Sequence, residues 1–341
     1  MPHDGRGSVV FLFPGQGGDP RAALHNWYHG HNGRSAAAQA VFRDVTDRVL
    51  DTIDREAARY GYGPVRPVLL EHSQPDPLPY GAVPLAHFAV SVALTRVLAA
   101  SEIVPRLIVG HSLGEYAALV CAGAFTLAEG ARLVCALNDA YRDVVGRGGL
   151  VLVDAGESDT EALLVGAGRT DVAVACVNSP RQAIVSGPTE ALDALLALTG
   201  PTVPRMWRLP VPYAAHHPAL QPVHDHFRRS VADLRPRHLR IPVQSPVQGC
   251  AYTDSDDLTT ALADCFTKPV RFTDALGRLA PLGERLFVEA GVGDSLSACV
   301  RATLPGARTV APLADGTWLA DDTCSPPVST DAVRDGTDST A

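Results

Sequence analysis

The sequence predicts an α/β protein in which a small ferredoxin-like unit interrupts a larger α/β domain. Three observations predict it. Near the N-terminus an apolar stretch, Val9 to Phe13, stops at Pro14 and a glycine-rich turn. A second short strand, Leu107 to Val109, runs straight into Gly110-His111-Ser112-Leu113-Gly114 and then a helix. Between about Gly148 and Leu209 the pattern becomes β-α-β-β-α-β, the order of a ferredoxin-like unit, and the larger domain then resumes.

Each element follows from its local pattern. SVVFLFPGQGG reads as a buried strand and a turn. A helical stretch covers Ala36 to Arg59, and the Pro- and Gly-rich segment Tyr60 to Pro84 reads as loop. Apolar residues at helical spacing mark Ala86 to Ala99, and further helices are expected over Glu115 to Gly123 and Leu127 to about Val145. In the smaller unit, GLVLVDA, DVAVACVNSP, QAIVSGP and VPRMWRLP read as strands, and SDTEALLVGAG and TEALDALLALTG as helices. LPVPYAAHHPALQPVHDHF is a loop entering a helix, and IPVQSPV and RLFVEAG are strands of the large domain. The expected division is therefore 1–147 with 210–313 for the large domain and 148–209 for the small one. The polar tail 314–341, rich in Asp, Thr, Ser and Pro, is expected to be disordered.

Composition limits the function classes. The 341 residues are 46% apolar and 19% charged, enough for a substantial core. A net charge of −8 argues against a nucleic-acid binder, which would present a basic face. No apolar run reads as long enough to span a bilayer, and MPHDGRGSVV has no signal-peptide pattern, so a cytoplasmic protein without membrane contact is expected. The seven cysteines (Cys121, Cys135, Cys176, Cys250, Cys265, Cys299 and Cys324) are scattered and contain no C-x-x-C pair, which reads as free thiols.

Ser112 is the candidate nucleophile. A serine hydroxyl is weak at neutral pH and needs a base in hydrogen-bond reach and donors for the oxyanion it creates. A strand-turn-helix elbow supplies part of this, holding the hydroxyl at a sharp turn and aiming helix N–H groups at the reacting oxygen. The alternative is a serine that merely fits a tight turn. The base must come from elsewhere in the chain. His111 adjoins the serine but neighbours on a sharp turn point apart. His216 and His217 lie in a loop before a helix. The cluster with His224 and His226 has no acidic or cysteine company at zinc-like spacing, so both are expected to face solvent and no metal is expected. His25, His29 and His31 read as surface loop residues.

FPGQG, GHSLGE, ACVNSPRQAIVSGP, YAAHHP and FVEAGVGDSL occur in the order they have in the acyltransferases of fatty acid and polyketide synthesis, of which malonyl-CoA:acyl carrier protein transacylases are the best known. The chain resembles that family from Val9 to Leu313. The resemblance implies an α/β-hydrolase-like large domain with an inserted ferredoxin-like domain and a site between them. It implies Ser112 as nucleophile and His216 as base, the imidazole oriented by backbone carbonyls rather than a carboxylate. The backbone N–H groups of Gln16 and Leu113 would form the oxyanion hole. The pocket would be lined by His111, Asn178, Tyr213, Ala215, Leu137 and Pro84. No cofactor is implied; the acyl group would travel on the phosphopantetheine of acyl carrier proteins, or on CoA, by a ping-pong exchange.

The chain departs from the family pattern in the pocket. Malonyl-type members carry an arginine on the helix after the elbow that grips the free carboxylate in two hydrogen bonds. Here Arg132 matches an earlier arginine, and Leu137 stands at the gripping position. Burying a carboxylate there unpaired costs on the order of several kcal/mol, roughly a thousandfold in binding. Arg142 is too far along the helix to substitute. Pro84 stands where a glutamine is common, Cys265 stands at another such place and offers its carbonyl to the base, and Ala215 replaces a phenylalanine. Leu137 and Ala215 together point to a roomier pocket for a non-carboxylated acyl group, resembling the discrete acyltransferases of macrolactam pathways that pass aminoacyl or dipeptidyl groups between carrier proteins. An acyl hydrolase clearing carrier proteins, a malonyl-type transacylase, an inactive relative and a non-enzymatic docking module are the alternatives. Because carrier proteins are acidic, Arg205, Met206 and Arg208, with Arg181 and Arg301, are the candidate docking residues. A monomer is expected.

Overall fold

The computed structural model describes residues 8–30, 36–283 and 285–315. The expected tail lies outside these residues from 316 onward; its first two residues close a short helix, Pro312–Asp315. Among the described residues eleven strands form two sheets. In chain order they are β1 (Ser8–Phe13), β2 (Leu107–Gly110), β3 (Gly148–Val153), β4 (Ala173–Ser179), β5 (Gln182–Pro188), β6 (Met206–Arg208), β7 (Val243–Ser245), β8 (Cys250–Ala251), β9 (Val270–Arg271), β10 (Arg285–Glu289) and β11 (Arg308–Val310).

The larger sheet has the order β11-β10-β1-β2-β7-β8, parallel except for the β7–β8 pair. The central strand β1 buries Val10, Phe11, Leu12 and Phe13 almost completely. Such an unbroken apolar run is what a parallel strand covered on both faces requires. Helices Ala36–Arg59, Ala82–Ala100, Gly114–Cys121 and Leu127–Tyr141 pack with this sheet around one core. Helix Ala82–Ala100 is long and apolar enough, by length and composition, to cross a membrane. This corrects the expectation that no such run exists: His87, Ser91, Thr95 and Arg96 interrupt the apolar sequence. Fourteen of its residues are buried within the protein, which is the ordinary situation of a core helix.

The smaller sheet has the order β6-β3-β5-β4-β9. Its first four strands, with helices Glu157–Gly166 and Thr189–Leu196, give β-α-β-β-α-β in chain order, the ferredoxin-like arrangement. The β3 side chains alternate between two cores. Val151 and Val153 join Leu192 and Leu195 under the two helices, while Leu150 turns toward the large core. Strand β9 comes from the segment after the insertion and pairs in parallel with β4, so the large domain lends one strand to the small sheet. The sequence gives no strand here, because two residues leave no periodicity to see. Shortness likewise hides β8, β11 and the five-residue helix Arg66–Leu70 within the expected loop. The HNWYH segment, expected as loop, is a short helix, His25–His29, and His31 lies outside the described residues.

Candidate active site

Three loops meet here: one after β2, one after β1 and one that returns from the small unit after β6. The first is the elbow. Strand β2 ends at Gly110, and helix Gly114–Cys121 starts four residues later. Ser112 between them has φ +55°, a left-handed conformation that an L-residue adopts at a cost of about 1–3 kcal/mol. The flanking glycines make the turn possible. A Cβ on Gly114 would lie 2.0 Å from the Phe13 carbonyl oxygen, and one on Gly110 would lie 2.6 Å from the Glu115 Cα. The elbow is pinned from below: Ser245 Oγ–H donates to Glu115 Oε1 at 2.7 Å and Tyr252 O–H donates to Oε2. Burial pushes the Glu115 carboxyl up to about 7.

The second loop follows β1. Gly15 lies against the elbow, where a Cβ would meet the His111 carbonyl oxygen at 3.2 Å and the Ser112 Cβ at 3.4 Å. His111 N–H donates to the Phe13 carbonyl at 2.9 Å, which locks the two turns together. Among the described residues, neither the Gln16 nor the Leu113 backbone N–H has an intramolecular acceptor.

The third loop returns from the small unit after β6. Gly148 allows this return: a Cβ there would press on Ala214 Cβ at 2.9 Å. His216 sits at φ +60°, also left-handed, and is 2% exposed. Its Nε2 lies 2.8 Å from Ser112 Oγ, and its Nδ1 lies 3.0 Å from the Lys268 carbonyl oxygen. A carbonyl only accepts, so Nδ1 carries the proton and Nε2 presents its lone pair to the serine hydroxyl. Burial, with the neighbouring His111, pushes His216 down to about 4, so the imidazole is neutral near pH 7. A neutral imidazole aimed at a hydroxyl is a base in position.

The structure corrects the carbonyl expected from Cys265. The acceptor is Lys268, and the Cys265 side chain is buried in the core. The sequence carries a faint signal: Pro269 follows Lys268 and disfavours helical backbone there, which narrows where its carbonyl can point.

The residues expected to line the pocket fall into two groups. His111 Nε2–H donates to Asn178 Oδ1 at 2.8 Å, joining the elbow to the end of β4. Tyr213 O–H donates to Gln16 Oε1 at 2.9 Å, and its ring stacks on Tyr141 at 3.8 Å. The Gln16 side chain therefore has a structural task that the sequence reading did not assign. Ala215 is buried beside His216. Leu137 and Pro84 are buried on the packed helices Leu127–Tyr141 and Ala82–Ala100, linked next door by Asn138 Nδ2 donating to the Gly81 carbonyl at 3.0 Å. Both arginines expected near this helix already have partners. Arg132 pairs with Asp233 at 2.5 Å, and Arg142 holds Asp139 Oδ1 at 2.8 Å and Tyr62 Oη at 3.0 Å.

The expected docking residues are spread out. Arg205 is exposed on the small unit, and Arg208 on β6 pairs with Asp193. Met206 turns into the small core, so the exposed apolar side chain of this strand is Trp207. Arg181 lines a groove of about 730 Å³ on the small unit together with Asp154 and Asp159. Arg301 lies on helix Ser295–Thr303 and donates to Thr309. His224, expected to face solvent, is buried and bonded to Asp225 at 2.8 Å; His226 is exposed.

A serine on an elbow facing a carbonyl-tethered neutral histidine is the arrangement that makes a hydroxyl nucleophilic. Comparison with known proteins identifies the family. Residues 10–316 match the family described as acyl transferase domain, and the chain belongs to that family. The spectinabilin polyketide synthase system protein NorA′ of Streptomyces orinoci is 33% identical over 309 residues, 88% of this chain and 8% of that protein. The polyketide synthase GfsA of Streptomyces halstedii is 33% identical over 310 residues, 88% of this chain and 4% of that protein. The chain thus spans a small fraction of these relatives' length. Among solved structures, a loading acyltransferase from the avermectin modular polyketide synthase superposes with a TM-score of 0.80 at 27% identity, covering 91% of this chain and 95% of that one. The malonyl CoA-acyl carrier protein transacylase of Coxiella burnetii, at 23% identity, shares the fold with a TM-score of 0.78, covering 91% and 95%. The architecture is therefore an α/β-hydrolase-like large domain with a ferredoxin-like small one.

Proposed function

We propose that this chain is an acyltransferase of polyketide biosynthesis that moves a non-carboxylated acyl group between carrier-protein thiols through an acyl-Ser112 intermediate. The observation that carries this reading is the 2.8 Å contact between Ser112 Oγ and His216 Nε2. His216 Nε2 takes the hydroxyl proton as Oγ attacks the thioester carbonyl. The backbone N–H groups of Gln16 and Leu113 receive the oxyanion. The Lys268 carbonyl stabilises the imidazolium that forms at Nδ1, the part a carboxylate plays in a triad. The imidazolium then protonates the leaving thiolate, and a second thiol reverses the sequence.

The substrate half rests on Leu137. Its buried side chain, with Arg132 and Arg142 both already partnered, supports a pocket that disfavours a free carboxylate. Carrier proteins as donor and acceptor, action as a monomer in the cytoplasm, and docking through the arginines of the small unit belong to the same reading.

The test is mass spectrometry of Ser112 after incubation with a panel of acyl thioesters, followed by a second carrier protein. The expected result is a Ser112 adduct from neutral or aminoacyl thioesters that passes to the acceptor. Preferential malonyl loading overturns the substrate half. Release of free acid with no transfer makes the enzyme a hydrolase. The absence of any adduct overturns the whole.

A further inference from the structure

The base is oriented by a backbone carbonyl, and a carbonyl is only as well aimed as the turn that carries it. That turn follows helix Leu258–Asp264. Its residues are tied to Asp264 at several points. The Asp264 carbonyl accepts the Lys268 N–H at 2.8 Å and the Thr267 N–H at 3.1 Å. The Asp264 carboxylate accepts Lys268 Nζ at 2.8 Å and Gln248 Nε2 at 2.8 Å, both on Oδ2. His224 Nε2 lies 3.6 Å from Oδ1. The carboxylate side chain is 15% exposed, so these contacts are screened less than those of a surface pair. On the same turn the Phe266 carbonyl accepts the His217 N–H at 3.1 Å, next to the base itself.

We propose that Asp264 is a positioning residue for the catalytic base: its carboxylate clamps the Lys268 side chain and Gln248, and so fixes the carbonyl that holds His216 Nδ1–H. The proposal rests on the reading of Ser112 and His216 as nucleophile and base. The carboxylate of a serine-histidine-aspartate triad touches the imidazole directly; here a carboxylate acts one step removed, through the backbone of Lys268. The clamp has two arms. Gln248 anchors Asp264 to the segment after β7, whose Ser245 also holds Glu115 of the elbow. Nucleophile and base are thus braced from the same stretch of chain. His224 adds a third neighbour on the opposite oxygen.

The test uses the full chain and a fluorophosphonate that reacts with activated serines whatever the natural substrate. Asp264→Ala is expected to slow Ser112 labelling on the order of 10- to 100-fold and to lower kcat for thioester loading by a similar factor, with KM unchanged. Asp264→Asn, which keeps an acceptor oxygen for Lys268 Nζ or Gln248, is expected to recover most of the rate. Lys268→Ala keeps the carbonyl but loses one arm of the clamp, and is expected to show a smaller loss. Asp264→Ala with an unchanged melting profile and the parental labelling rate overturns the proposal. So does a rate loss that Asp264→Asn fails to recover and that follows a fall in melting temperature, because that is a structural role only. If Asp264→Ala does not fold, Asp264→Asn and Lys268→Ala decide: parental rates in both overturn the proposal. Absence of labelling in the parental protein would instead sink the assignment of Ser112.

Discussion

Ser112 and His216, 104 residues apart in the chain, face each other at 2.8 Å from two left-handed backbone positions, φ +55° and +60°. Neither residue is glycine, so each strained turn is held by its surroundings. The elbow is held by Gly15, Gly110, Gly114 and the Glu115 anchor. The His216 turn is held by the packing of Ala214 on Gly148 and the bond from His217 to Phe266.

Removing either reactive side chain separates the two roles. Ser112→Ala is expected to abolish the covalent adduct completely. His216→Ala is expected to leave a serine that loads about 10²- to 10⁴-fold more slowly, the usual share of a general base. Intact-protein mass spectrometry over a time course checks both.

The acid limb of the loading rate should lie near the depressed value of His216, about 4, rather than at the ordinary 6.5. With the neutral imidazole as the proposed base, the rate is expected to fall as pH drops through that range. Stability follows the same sign. The unfolded chain takes up this proton at a higher pH than the folded one, so the His216 contribution is complete above 6.5 and lost as pH falls from 6.5 through about 4. A pH series of fluorophosphonate labelling, run beside thermal melts, measures both; a limb at 6.5 would contradict the burial argument.

Gly114→Ala should not yield a native elbow. Its added Cβ would sit 2.0 Å from the Phe13 carbonyl, and the obstructing atom is backbone of the central strand. The expected result is insoluble protein or a loss of more than about 3 kcal/mol in denaturant unfolding, in the upper range for single substitutions.

Leu137→Arg tests the pocket. A guanidinium in place of the buried leucine offers two hydrogen bonds to a free carboxylate. Malonyl loading of Ser112 is expected to rise at least about tenfold while neutral acyl loading falls, read by competition between the two thioesters. No gain in malonyl loading would detach selectivity from this position.

Much of the architecture was legible because it rests on long periodic segments. QAIVSGP is β5 from Gln182 to Pro188, and the helix expected over Ala36 to Arg59 has those bounds. The elbow was legible because glycine spacing and an apolar strand coincide at Ser112. What the sequence concealed depends on contacts between distant segments. The Lys268 carbonyl is a backbone atom, and any residue type could supply it; only Pro269 hinted at its direction. The burial of His224 was hidden because a histidine on a polar helix face reads as solvated until Asp225 and Asp264 are seen to enclose it. Met206 and Trp207 exchanged roles for a simpler reason. On an edge strand of three residues, the inward side cannot be chosen without its partner β3.

The loan of β9 to the smaller sheet has a mechanical consequence. Pro269 alone separates Lys268 from Val270, which is already hydrogen-bonded beside Cys176 of β4. A shift of the ferredoxin-like unit against the larger sheet would therefore pull on the peptide whose carbonyl accepts from His216 Nδ1. The smaller sheet and the imidazole thus share one linkage, the backbone from Lys268 to Val270.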